Sequence, residues 1–104
     1  MKRFVIGWAR FKPGKQDEFL AVAKAHIAAT REEEGCLFLE INLSMDKPDT
    51  AVFAECFRDA RATEIHESLP HVAVWKKRMS EILIEGRFEN IFSDEVVVDV
   101  VKFD

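Results

Sequence analysis

Tyrosine is absent from this chain of 104 residues, and cysteine, proline and glycine are sparse, at two, three and four. Without tyrosine, no proton transfer can use a phenolic hydroxyl of the protein. The two cysteines, Cys36 and Cys56, have no metal-ligand spacing and fit a reducing compartment. No apolar run approaches the roughly 20 residues that a membrane span needs. The opening MKRFVIGWARFK carries only a short apolar run before Arg10 and Lys12, too little for a signal peptide. These absences predict a cytoplasmic protein with no membrane partner. There is no Gly-rich phosphate loop either, which argues against a tightly held nucleotide cofactor. A long run of one charge sign is also missing. The net charge of −4 is spread over interspersed acids and bases, as in Glu32-Glu33-Glu34 and Lys76-Lys77-Arg78. The basic triple reads as a solvated helix face, and no nucleic-acid partner is predicted.

What is present is a globular composition, 48% hydrophobic and 33% charged. The length predicts one domain over residues 1–104, burying somewhere above about 60% of its unfolded surface. Residues 3–12 alternate as a strand, with Phe4, Ile6, Trp8 and Arg10 on one face and Val5, Gly7, Ala9 and Phe11 on the other. After Pro13-Gly14, the spacing of Phe19, Leu20, Val22, Ala23 and Ile27 predicts a helix over 15–34 that ends on Gly35 as a left-handed cap. Residues 36–45 read as a strand with Leu37, Leu39, Ile41 and Leu43 on an unbroken apolar face. A four-residue turn, Asp46-Lys47-Pro48-Asp49, leads to a returning strand over 50–57. Asp59 is suited to N-cap a short helix over 60–68, and Pro70 to open another. That helix would turn Val72, Trp75, Met79 and Ile82 inward and close at Gly86. Residues 85–94 read as a connection, and the valine-rich 96–103 as the last strand.

The resulting order, β-α-β-β-α(α)-β, is α+β and matches the ferredoxin-like split β-α-β plan: a four-stranded antiparallel sheet with its helices on one face. By strand parity the other face would bear Phe4, Ile6, Trp8, Phe38, Phe53 and Phe57, too apolar to meet water. A second copy would cover it, two sheets closing into one barrel. Burial alone therefore predicts a homodimer.

Several side chains invite chemistry. If Met45 opposes Thr50 across the turn, Glu40 lies opposite Glu55, about 5 Å apart at Cβ. Two carboxylates so placed raise one another's pKa, which suits a general acid or base; Arg-bridged carboxylates at the barrel mouth would look the same in sequence. The same register keeps Cys36 and Cys56 too far apart for a disulfide. His66 sits on the short helix, one turn before Pro70, where a packed structural histidine and a catalytic one look alike. His71 follows the break. Five residues with a break between them differ from the i, i+4 pair that offers two ligands to one metal, and no metal site is expected. His26 reads as a satisfied histidine beside the apolar stripe, Trp75 as core, and Trp8 as the aromatic lining a cavity.

The segment Glu55, Asp59, Ala62, His66, Pro70 and His71 resembles the signature of antibiotic biosynthesis monooxygenase (ABM) domains, close to E-x-W-x-D-x-x-A-x-x-x-H-x-x-x-P-H. Phe11-Lys12-Pro13-Gly14-Lys15 is similar to that family's exit from the first strand, and Glu34-Gly35-Cys36-Leu37 to its E-x-G-C-L approach to the second. The resemblance implies a dimeric α+β barrel with a pocket in each subunit, often oxygenating quinols or aromatics with neither metal nor flavin. In the related haem-degrading branch a pocket tryptophan matches His66, which implies that His66 walls the pocket. There are departures. Phe57 replaces the tryptophan after the third-strand glutamate, Leu39 replaces an aromatic, and members that use a tyrosine hydroxyl have no counterpart here. The third helix reads Val74-Trp75-Lys76-Lys77 where the haem branch needs an axial histidine.

The expectation is therefore a cofactor-independent monooxygenase of a quinol or phenolic compound. His66 would be the base, Glu55 or Glu40 a polar anchor, and Trp8, Phe38, Phe53 and His71 the further walls. A ligand-binding or stress-associated barrel without turnover, and an isomerase or lyase using the same pocket, are the alternatives.

Overall fold

A computed structural model describes residues 1–103. The elements run β1 (Lys2–Phe11), α1 (Gln16–Arg31), β2 (Cys36–Leu43), β3 (Thr50–Phe57), α2 (Ala60–Ser68), α3 (Pro70–Ile82) and β4 (Leu83–Ser93). The four strands form one antiparallel sheet in the order β2-β3-β1-β4, with the three helices on one face. This is the ferredoxin-like plan. None of the described helices is long and apolar enough to cross a membrane.

The alternation of β1 decides which face the helices take. Val5, Ala9 and Phe11 are buried beneath them, while Ile6 on the other face is 54% exposed. Residues opposite one another in an antiparallel pair share a face, so the partners of Val5, Gly7 and Ala9 on β3, namely Glu55, Phe53 and Ala51, also point at the helices. Helix α1 starts with Asp17 and Glu18 in its first turn and ends with Arg31 in its last, charges that complement the helix dipole. It buries Phe19, Ala23, His26 and Thr30, one stripe at steps of four, three and four. Phe11 and Phe19 stack at 5.1 Å, and Ala23, Ala51, Met79 and Ile82 complete the cluster around them. Asp59 caps α2 by accepting from the Ala62 N–H at 2.8 Å, which holds its carboxyl below the usual carboxylate range. Pro70 occupies the first turn of α3.

Four expectations need correcting. First, α1 stops at Arg31, and Gly35 does not take a left-handed φ; Gly14, at +82°, does. Gly35 is needed instead for contact, since a Cβ there would lie 2.2 Å from the Ala62 Cβ. Second, the hairpin loop is one residue longer than read. Ser44 N–H donates to the Thr50 carbonyl, Met45 joins the loop, fully exposed, and Asp49 absorbs the extra residue with φ +51°. Glu40 therefore pairs with Ala54 and Glu55 with Leu39. Glu40 and Glu55 lie on opposite faces, and the paired-carboxylate idea goes with the register. Third, Phe53 and Phe57 turn to the helix side for the same reason, and a register shift between Cys36 and Phe38 leaves Leu37 46% exposed. Fourth, the last strand is Leu83–Ser93, following α3 directly, so Gly86 lies within it; residues 95–103 pair with no strand among the described residues. In β4, Gly86, Phe88, Asn90 and Phe92 alternate with Arg87, Glu89 and Ile91.

Gly7 of β1 pairs with Phe88 of β4. A Cβ there would meet the Arg87 carbonyl oxygen at 2.3 Å and the Phe88 ring at 2.6 Å.

Candidate functional site

Between the sheet and the helices lies a cavity of about 250 Å³, walled by Leu39, Ile41, Phe53, Trp75, Met79 and Phe88 among others. Its polar groups are few: Glu55 from β3, His26 from α1 and Lys76 from α3. The walls are largely aromatic. Phe53 meets Phe88 edge-on at 5.2 Å and Trp75 at 6.4 Å, while Trp75 stacks on His26 at 4.2 Å with their planes 11° apart. An engineered apolar cavity of roughly 150 Å³ admits benzene, so this one has room for a substituted ring.

Glu55 stands out on that wall. Among the described residues no hydrogen bond or ion pair engages its carboxyl, which is half-buried and keeps some contact with solvent. Burial pushes it above the usual carboxylate range, and the nearby His66 pulls part of the way back. A carboxylate held this way is a stronger base than one in water.

Behind this wall all three histidines of the chain meet. The His66 Nδ1 lies 2.8 Å from the Glu33 Oε2, and the His71 Nε2 lies 2.9 Å from the same oxygen. A carboxylate oxygen only accepts, so each ring turns an N–H toward it. His71 Nδ1 faces His26 Nδ1 at 3.4 Å, and His26 Nε2 faces the Thr30 hydroxyl at 3.5 Å. Burial, with His71 and His66 adding to it, pushes His26 down to about 3, so it stays a neutral ring with one donor and one acceptor nitrogen. The break at Leu69 and Pro70 makes the meeting possible: Leu69 is extended, with φ −77° and ψ +143°, and the chain turns there. The donor atoms of Glu33, His66 and His71 all lie within 4.8 Å of one another, a group able to ligate a metal ion.

The family model for antibiotic biosynthesis monooxygenases matches residues 3–78. The chain belongs to that family. This ABM chain is also similar to solved structures. It aligns with Rv0793 of Mycobacterium tuberculosis at a TM-score of 0.84 and 22% identity, covering 94% of this chain and all of that one. A Nitrosomonas europaea protein provisionally assigned as an antibiotic biosynthesis monooxygenase gives 0.81 at 18% identity, over 89% and 90% of the two chains. Protein SO0527 of Shewanella oneidensis gives 0.80 at 26%, over 86% and 88%. The uncharacterised protein sll1783 of Synechocystis is 25% identical over 79 residues, 76% of this chain and 54% of that protein. The chain thus spans about half the length of the curated relative it matches.

On this ABM scaffold, the residues singled out from the sequence divide into two sets. Glu55, Phe53, His66 and His71 lie on the helix side. Glu55 and Phe53 line the cavity, while His66 and His71 are bound to Glu33. Trp8, Phe38 and Glu40 lie on the other face of the sheet. There Trp8 borders a shallow recess with Arg10 and Glu85, and Glu40 pairs with Arg31 at 3.0 Å. Sequence reading missed Glu33 and undervalued His26. The available signal was the signature itself, since Glu33 is the glutamate two residues before Gly35 in the E-x-G-C-L block.

Proposed function

We propose that this ABM domain is a cofactor-independent monooxygenase of a small quinol or phenol bound in the cavity between sheet and helices. The observation that carries the reading is Glu55, a carboxyl without a hydrogen-bond partner on a largely apolar wall. It takes the hydroxyl proton of the reduced ring, and the electron-rich phenolate supplies electrons to O₂. A C–O bond forms at a ring carbon, the O–O bond breaks, and the proton returns to the departing oxygen as water. A quinol and O₂ thus give a hydroxyquinone and water, with all four electrons coming from the substrate. The apolar walls exclude bulk water from the anion, and the Trp75–His26 stack fixes the ring's orientation. His66, its Nδ1 already bound to Glu33, holds the helices behind the cavity.

A second copy belongs on the other sheet face, where Ile6, Phe38, Val52 and Ile91 are exposed. Two such faces close into the barrel of a homodimer, and Ile6→Asp with Phe38→Asp is expected to give a monomer by light scattering.

Oxygen consumption over a panel of hydroquinones tests the catalytic reading. Stoichiometric uptake with quinone formation is expected, and saturable binding without product would mean a carrier instead. Uptake that Glu55→Gln leaves unchanged removes Glu55 from the mechanism.

A further inference from the structure

Glu33, His66 and His71 come from three segments: the loop after α1, the last turn of α2 and the first turn of α3. The His71 Nε2 and the His66 Nδ1 lie 2.9 and 2.8 Å from the Oε2 of Glu33, and the same His66 nitrogen lies 3.1 Å from Oε1. The carboxylate thus draws both rings to one place. Two imidazoles and one carboxylate are the donors that borderline divalent cations prefer. Four donors around such an ion at about 2.0–2.2 Å would stand roughly 3.3 Å apart. Around one ion the nitrogen–oxygen separations of 2.8 and 2.9 Å would widen by about half an ångström, and the two nitrogens, within 4.8 Å of each other, would settle at the same spacing.

The surroundings supply what a cation site requires beyond its donors. His71 has a supporting partner, since its second nitrogen faces His26, which is held in turn at Thr30. Those contacts fix the ring, so that its Nε2 points at the shared position. The Glu33 and His66 side chains are 10% and 6% exposed, whereas His71 is 24% exposed. His26 and His71 also border a surface recess of about 400 Å³ with Val22, Ala25 and Val74, which gives an ion a way in.

We propose that Glu33, His66 and His71 form a binding site for one divalent d-block cation of the Zn²⁺ class, with His26 orienting His71 from behind. Three protein donors leave a fourth position for water. The ion ties α2 and α3 to the end of α1 and so braces the helical layer that roofs the cavity. It is separate from the Glu55 chemistry, because none of its three ligands lines the cavity.

The test uses the full chain, stripped with a chelator and titrated with Zn²⁺ by calorimetry and with Co²⁺ by visible absorption. One ion per chain is expected, with the intense Co²⁺ bands of a low-coordinate site and a raised melting temperature. Glu33→Gln and His71→Asn should each weaken Zn²⁺ at least about 100-fold, and His26→Gln about 10-fold. His71 is partly exposed, so His71→Asn carries the test should Glu33→Gln fail to fold, with circular dichroism checking each. Stripped protein that takes up no stoichiometric Zn²⁺ overturns the site, as does wild-type affinity in folded His71→Asn. Oxygen uptake is measured separately. Uptake that depends on Glu55 without Zn²⁺ binding would overturn this site alone.

Discussion

Two glutamates, Glu33 and Glu55, are withdrawn from water on either side of His66, and they have opposite company. Glu33 holds two imidazoles on its carboxylate, whereas Glu55 lines the cavity with no hydrogen-bond partner. Burial takes hydration from both; hydrogen bonds offset that cost at Glu33, and at Glu55 only residual contact with solvent does. The satisfied carboxylate fastens helices together. The unsatisfied one has free energy to gain from a ligand that brings a hydroxyl group.

The largest expected effect separates them by activity. Glu55→Gln should lower quinol-dependent oxygen uptake by about 10²–10⁴-fold, the range for loss of a general base. Zn²⁺ affinity should be unchanged, and a parallel loss of both would mean that the two sites are one. Stability should show the reverse preference. Glu33→Ala leaves the buried His66 N–H without an acceptor, and the partly exposed His71 N–H with water alone, and should cost roughly 1–3 kcal/mol in urea unfolding under chelator. A loss within error would show water taking the place of the carboxylate.

A smaller effect is expected from Gly35→Ala. It places a methyl group against Ala62, pushes α2 away from the turn after α1 and should cost about 1–3 kcal/mol. Because α2 carries His66, the same change should weaken Zn²⁺; destabilisation with intact binding would show that the turn moves instead of the helix. The smallest effect is a pH dependence. Burial holds Glu55 above its unfolded pKa, so the folded state binds that proton more tightly. Stability from this residue is therefore greatest below the ordinary carboxylate value and falls as pH rises from there through the folded value. Glu55→Gln should melt higher than wild type at pH 7, with the gap closing toward about pH 4. A gap that does not change with pH would assign the difference to packing.

The element order and the two-faced sheet were legible because Val5, Ala9 and Phe11 alternate cleanly and α1 repeats its stripe. The family signature was legible for the same reason, its residues being fixed by strand ends and caps such as Asp59. The site was harder to read. One left-handed residue, Asp49, slid β3 by one position against β2 and moved Glu55 and Phe53 to the side of the sheet where the cavity lies. No local pattern near Glu55 reports a loop length. The histidine cluster was hidden differently. His26, His66 and His71 have no mutual spacing that suggests contact, and Glu33 reads as one charge in an acidic run. The extended Leu69 brings them together, a conformation that propensity at Ser68-Leu69-Pro70 hints at without saying which way the chain turns.

Gly7 has a consequence for the kind of molecule this cavity can come to accept. Phe88 keeps its place because position 7 has no side chain, and any carbon added there meets the Arg87 carbonyl before the ring can yield. A change at that site would unzip β1 from β4 before it resized anything. Selection for a bulkier or slimmer guest must therefore work through the helix wall, at Met79 or Trp75, where a trimmed or extended side chain alters the space and leaves the ladder whole. One side of the chamber is masonry, and the other is furniture.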